Sequence, residues 1–230
     1  MSTIDQQKLL DISSYTSKLL RKNFGRGPET CHAFSNDRYL VFYIRGFLSP
    51  MESVLLEQGS ADHVEFSRGI VMQTVLAQLK GVLEREFEQD IMDCYHDWNY
   101  PNNTGVIMIC FEKVMETAEP QAKEFSEYKA LIKEVERVSQ LVQKVPEQTE
   151  AYRITSKLYI VKRVGILVPI EKALIANGYQ ETLLVTKDDL EKTYFHRDGK
   201  FGEIFKQPVE DIFVDWNFHE DKSMMCFLLK

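Results

Sequence analysis

The chain has 230 residues, 44% hydrophobic and 27% charged, and a formal net charge of −7. This composition belongs to an ordinary soluble globular chain of one large or two modest domains and excludes a disordered one. The acidic balance, −5 on residues 1–118 and −2 on 119–230, argues against a nucleic-acid-binding face. No apolar run approaches the roughly 18–20 residues that cross a bilayer. The N-terminus, MSTIDQQKLL, lacks the basic and apolar segments of a signal peptide. The four cysteines, Cys31, Cys94, Cys110 and Cys226, form no CxxC pair, as expected of reduced thiols in a cytoplasmic protein.

In chain order, Leu9, Ile12, Tyr15, Leu19 and Leu20 predict an amphipathic helix, stopped by Gly25 and Pro28. CHAF and RYLVFYIRG around Ser35-Asn36-Asp37 predict a β-hairpin. In SPME, Ser49 is a helix N-cap, Pro50 the first helical residue and Glu52 the third member of a capping box, with Gly59 as the stop. A long helix is expected from Phe66 to Glu88, with Ile70, Val71, Val75, Leu79, Val82, Leu83 and Phe87 turned inward. A second hairpin then surrounds DWNYPNNTG, Asp97–Gly105.

The same series returns. GFLSPMESVLLEQG (Gly46–Gly59) aligns with GILVPIEKALIANG (Gly165–Gly178) at a spacing of 119, and Asp97-Trp98-Asn99 with Asp215-Trp216-Asn217 at 118. Pairing MICFE with MMCFL, so that Cys110 meets Cys226, drops the spacing to 116 and predicts a shorter turn after the second Trp. The chain is therefore a tandem duplication, residues 1–118 and 119–230, with its seam near Ala118–Glu124. In the second copy Phe125, Tyr128, Leu131, Ile132, Val135, Val138, Leu141, Val142 and Val145 predict the opening helix, ended by Pro146. AYRI and KLYIVKRVG form its first hairpin around Thr155-Ser156. Val168 replaces the capping serine, which predicts a weaker start to the Pro169 helix. Asp198-Gly199 interrupts the next helix, which should be shorter or remodelled. Helices and antiparallel hairpins without βαβ alternation predict an α+β fold of two pseudo-symmetric lobes, each a small antiparallel sheet covered by helices.

Two segments are candidates for function. The Asp-Trp-Asn motif either anchors a strand end, with Trp98 and Trp216 buried and Asp97 and Asp215 holding the turn, or presents Asp97, Asn99 and His96 to a ligand or partner. The structural reading is favoured, because His96 becomes Val214 and Tyr100-Pro101 becomes Phe218-His219 while the motif stays. The second candidate is LLRKNFGRGPETCH, where Arg21, Arg26 and His32 could hold a small anion. Its glycines follow a helix rather than precede one, which opposes phosphate binding, and no GK[ST] follows. The segment is peculiar to the first copy; the second has QKVPEQT there.

Enzyme and metal signatures are absent from the pattern: the five histidines show no metal-ligand spacing, and there is neither a GxSxG elbow nor a GxGxxG turn. Adjacent Cys31 and His32 face opposite sides of a strand. The expectation is a non-enzyme without cofactor or metal.

GRGP, a strand pair, GFLSPMESVLLEQG, a long helix and DWNYPNNTGVIM together resemble a bacterial family, the Na+-translocating membrane potential-generating system protein C (MpsC) type. The likeness covers 5–113 and, more weakly, 121–230, where GRGP and PNNTG are missing. The resemblance implies an accessory protein linked to a membrane cation-translocation or inorganic-carbon-uptake system, with a membrane transporter subunit as its partner. It brings no catalytic residues.

Overall fold

The apolar stripe of the first helix closes onto a sheet. α1 (Gln6–Phe24) buries Ile12, Leu19 and Leu20, and its chain reverses at Gly25, whose φ of 75° suits a residue without Cβ. The computed structural model describes residues 6–115 and 125–230. The chain divides into two compact units, Met1–Glu119 and Pro120–Lys230. The expected seam at Ala118–Glu124 lies outside the described residues.

In the first unit β1 (Thr30–Asn36), β2 (Tyr39–Arg45), β3 (Ile91–Asn99) and β4 (Thr104–Phe111) form an antiparallel sheet in the order β1-β2-β4-β3. α2 (Pro50–Glu57) and α3 (Ala61–Phe87) join the hairpins. The second unit repeats this with α4 (Tyr128–Val142), β5 (Gln148–Arg153), β6 (Leu158–Val164), α5 (Pro169–Ala176), α6 (Gln180–Asp198), α7 (Phe201–Phe205), β7 (Val209–Asn217) and β8 (Lys222–Leu229), in the order β5-β6-β8-β7. Even the irregularities recur: the β3–β4 register shifts between Ile91 and Asp93, and the β7–β8 register between Val209 and Asp211. The fold is the expected α+β pair of repeats.

One face of each sheet meets the unit's helices. Leu40, Phe42, Ile44, Ile107, Ile109 and Phe111 pack with Leu20, Met72, Leu79 and Leu83. In the second unit Tyr159, Val161, Met225 and Phe227 pack with Leu131, Val135, Phe195 and Phe201. Alternate side chains of β2 and β4 are buried too, so β4 is buried along its whole length.

Several expectations need correction. The first hairpin turns at Asp37-Arg38, and Ser35 and Asn36 belong to the strand. The stripe of α3 runs Val64, Arg68, Met72, Val75, Leu79, Leu83; Ile70 points outward at 53% exposure. Counting only apolar residues shifted the helix phase, because the buried arginine was not counted. Leu141 and Val145 are likewise exposed, since α4 ends at Val142 and its inward face is taken by Ser139. The turn after the second Trp is not shorter: 100–103 and 218–221 have equal length. Trp98 pairs with Gly105 and Trp216 with Ser223, so the spacing stays 118 and Cys226 occupies the place of Met108, not of Cys110. A two-residue slip preserves the face of every side chain in a strand, which is why the strings aligned falsely.

Candidate functional site

The Asp-Trp-Asn motif ends the third strand of each unit. Asp97 Oδ1 accepts from the Trp98 N–H at 2.6 Å, and Asp215 Oδ1 from the Trp216 N–H at 2.7 Å. The turn bonds come from the asparagines: Asn99 Oδ1 accepts from Asn102 N–H and Asn217 Oδ1 from Glu220 N–H, both at 3.3 Å. The tip of the turn does more. Asn103, at φ 50°, accepts from the N–H groups of Phe47 and Leu48 at 2.8 and 3.0 Å. Asp221, also at φ 50°, accepts from Ile166 and Leu167 at 2.8 Å each. Each hairpin tip thus clamps the loop that launches the Pro-initiated helix of its own unit, α2 or α5.

Those helices start as their caps dictate. Ser49 accepts from Glu52 N–H while the Glu52 carboxylate accepts from Ser49 N–H at 2.7 Å, a complete capping box. Val168 has no acceptor, so α5 keeps half of the box, Glu171 to the Val168 N–H at 2.8 Å.

Both capping glutamates also take a buried cation. Arg68 Nε lies 2.8 Å from Glu52 Oε1 and its Nη2 donates to Phe47 O at 2.7 Å. Lys187 Nζ lies 2.8 Å from Glu171 Oε1. Arg68 and Lys187 occupy equivalent places, 119 positions apart. The Arg68 guanidinium sits 4.6 Å from the Trp98 ring, 4.9 Å from Phe47, 5.4 Å from Phe24 and 5.9 Å from Tyr100. Tyr100 in turn donates to Glu65. Burial pushes the Glu52 carboxyl upward, but Arg68 and the Ser49 cap outweigh it and hold it below the ordinary glutamate value.

The second unit enlarges this pair into a network. Arg163 Nη2 lies 2.6 Å from Glu191 Oε2, and Lys187 lies 3.2 Å from Glu191 Oε1. Ser223, Ser139 and Gln143 complete the shell, at 2.8 Å and 3.1 Å from Arg163 and 3.1 Å from Glu191 respectively. Their counterparts in the first unit are Ile44, Met72, Gly105, Leu20 and Phe24. Arg163 and Glu191 are fully buried. Sequence reading missed Glu52–Arg68, Glu171–Lys187 and Arg163–Glu191. The available signal was a charged residue at the same place within the apolar stripe of both long helices.

The Arg21–His32 segment is arranged differently. Arg21 packs against Gly27, where a Cβ would meet its Nε at 2.8 Å. Arg26 lies 4.0 Å from Glu29. His32 is exposed on the strand face opposite Cys31 and Ala33, which pack on the core under α1. The structure brings Arg21 and Arg26 to one loop and turns His32 to the other side of β1.

Chemically, the buried charges Glu52, Arg68, Arg163, Glu171, Lys187 and Glu191 are neutralised by one another. Burial pushes the Cys31 thiol up to about 12 against a smaller opposing bond to Ser17, and the Cys94 thiol up to about 11. Both are protonated at neutral pH and poor nucleophiles. Among the described residues no three His, Cys, Asp or Glu side chains gather as metal ligands, and no helix is long and apolar enough to cross a membrane.

No curated protein and no solved structure matches the chain. The family model described as Na+-translocating membrane potential-generating system (MpsC) matches residues 5–113 and again 126–230. Those segments coincide with the two structural repeats, and the chain belongs to the MpsC family as two tandem copies of its unit.

Proposed function

We propose that the chain is a non-catalytic accessory or regulatory protein of a membrane-potential-generating cation system, cytoplasmic, acting through a protein partner that carries the membrane spans. The observation that supports this most is the double family match onto two units, in each of which a buried ion pair holds a helix start. A catalytic carboxylate or cation must be free to meet a substrate. Glu52, Arg68, Glu171 and Lys187 are each committed to a buried partner. Since no helix of the described residues crosses a membrane, ion passage falls to another subunit in this reading.

The test is affinity capture from detergent-solubilised native membranes, together with membrane-potential measurement in cells lacking the chain. A transporter subunit recovered with the chain, and a shifted potential on its loss, is the expected result. An unchanged potential with no membrane subunit recovered would remove the reading.

A further inference from the structure

The first unit carries four large apolar side chains in water on two consecutive helices: Met51 at 69% exposure and Val54 at 51% on α2, Phe66 at 52% and Ile70 at 53% on α3. Met51 and Val54 are three apart and Phe66 and Ile70 four apart, so each pair forms a ridge on one side of its helix. Burial against a partner would remove this surface from water, which favours association, and exposed apolar surface of this kind marks interaction sites.

The charge around these ridges has one sign. From Gly46 to Leu79 the only Lys or Arg is Arg68, which is buried against Glu52. Besides the buried Glu52, the acids in the same span are Glu57 and Asp62, both exposed, and the half-buried Glu65. Along Gly46–Leu79, the stretch that carries both ridges, the exposed charge is therefore wholly negative; Lys80, paired with Glu84, and the exposed Arg85 lie further along α3, beyond Ile70.

The second unit has not kept this combination. Ile170, at 66% exposure, matches Met51. Ala173 stands where Val54 does and Asp189 where Ile70 does, while Lys172, 2.9 Å from Asp221, brings an exposed cation. The surface belongs to one unit only.

From this complementarity we infer that α2–α3 of the first unit docks an amphipathic helix of a partner protein, with large apolar residues on one side flanked by Lys and Arg. The helix lays its apolar side on Met51, Val54, Phe66 and Ile70, and its cations meet Glu57 and Asp62. An anionic lipid surface is the wrong partner, because the acids repel it. The chain takes one such helix, not two. The inference rests on the accessory reading and names the surface that serves it.

The probe is a synthetic amphipathic helix of leucine and lysine, titrated by fluorescence anisotropy at low and physiological salt. Binding with one-to-one stoichiometry is expected. The Phe66→Ser/Ile70→Ser chain should bind at least about tenfold more weakly, and Glu57→Lys/Asp62→Asn should lose affinity mainly at low salt. Ile170→Ser should bind as wild type, and a leucine–glutamate helix or phosphatidylglycerol vesicles should not bind. These exposed positions leave folding intact, checked by an unchanged denaturation midpoint. No binding of the leucine–lysine helix, binding indifferent to Phe66→Ser/Ile70→Ser, or binding of the vesicles would each overturn the proposal. If native capture recovers a transporter subunit equally with wild type and with Phe66→Ser/Ile70→Ser, this surface is wrong and the accessory reading stands. If wild type recovers none, the accessory reading fails, and the peptide titration still decides the surface.

Discussion

Arg68 and Glu52 form a buried pair, 2.8 Å apart, in which one carboxylate both caps α2 and neutralises the cation that α3 sends into the core. Lys187 and Glu171 repeat the arrangement at 2.8 Å. Removing one member of a buried pair leaves the other charge uncompensated, at roughly 3–5 kcal/mol. Arg68→Ala should therefore lower the urea midpoint sharply. Arg68→Lys should cost clearly less, because lysine serves at the equivalent place. An Arg68→Ala chain as stable as wild type would show the pair to be idle.

Arg163 and Glu191 offer a cleaner comparison, since the first unit has Ile44 and Met72 in their places. Each single replacement, Arg163→Ile or Glu191→Met, should cost about 3–5 kcal/mol by orphaning a buried charge. The double variant keeps Lys187 on Glu171 and should cost less than either single. A double-mutant cycle in denaturant measures the coupling; additive costs would contradict the network.

Acid should loosen the two loop clamps unequally. Burial alone would raise the Asp221 carboxyl, but the Leu167 and Ile166 N–H groups and the Lys172 ammonium hold it below its ordinary value of 3.8. A depressed carboxylate contributes stability above its unfolded value and loses it as pH falls through the folded one. The second unit's clamp should weaken below about pH 4, whereas Asn103 does not titrate. Asp221→Asn should flatten this part of the acid response, read as hydrogen exchange at Ile166 and Leu167. Equal acid sensitivity at Phe47 and Leu48 would count against it.

Trp98 and Trp216 are 3% and 8% exposed. Truncation of either to Ala should cost about 3–5 kcal/mol, visible as a clear fall in Tm. The Trp98 ring packs against Gly105, where a Cβ would come within 2.0 Å of its Cε3. Gly105→Ala should evict the ring and cost about 1–3 kcal/mol. Ser223→Gly, at the equivalent place, instead removes a partner of Arg163. If Gly105→Ala were neutral in thermal melts, the packing of Trp98 described above would be wrong.

The duplication, the α+β class, the hairpins and the caps were legible in the sequence because each depends on local chemistry: glycine at positive φ, proline at a helix start, serine and glutamate three apart, apolar residues at a helical or strand spacing. The buried tryptophans at the strand ends were legible for the same reason. What the Asp-Trp-Asn motif holds was not. The asparagines bond the turn, and Asn103 and Asp221 reach loops 55 or 54 residues or more away in sequence. The register of β4 and β8 was misread, since a two-residue slip leaves the apolar pattern unchanged and only pairing with β2 and β6 resolves it. Arg68, Lys187, Arg163 and Glu191 look like surface charges in a string of letters. Whether a charge is solvated or buried depends on a partner brought near by folding, and the cost of burying it alone is what makes that partner obligatory. Sequence alone determined which elements form; the tertiary structure decided which charges those elements hide and, by the outward turn of Phe66 and Ile70, which apolar side chains remain for a partner.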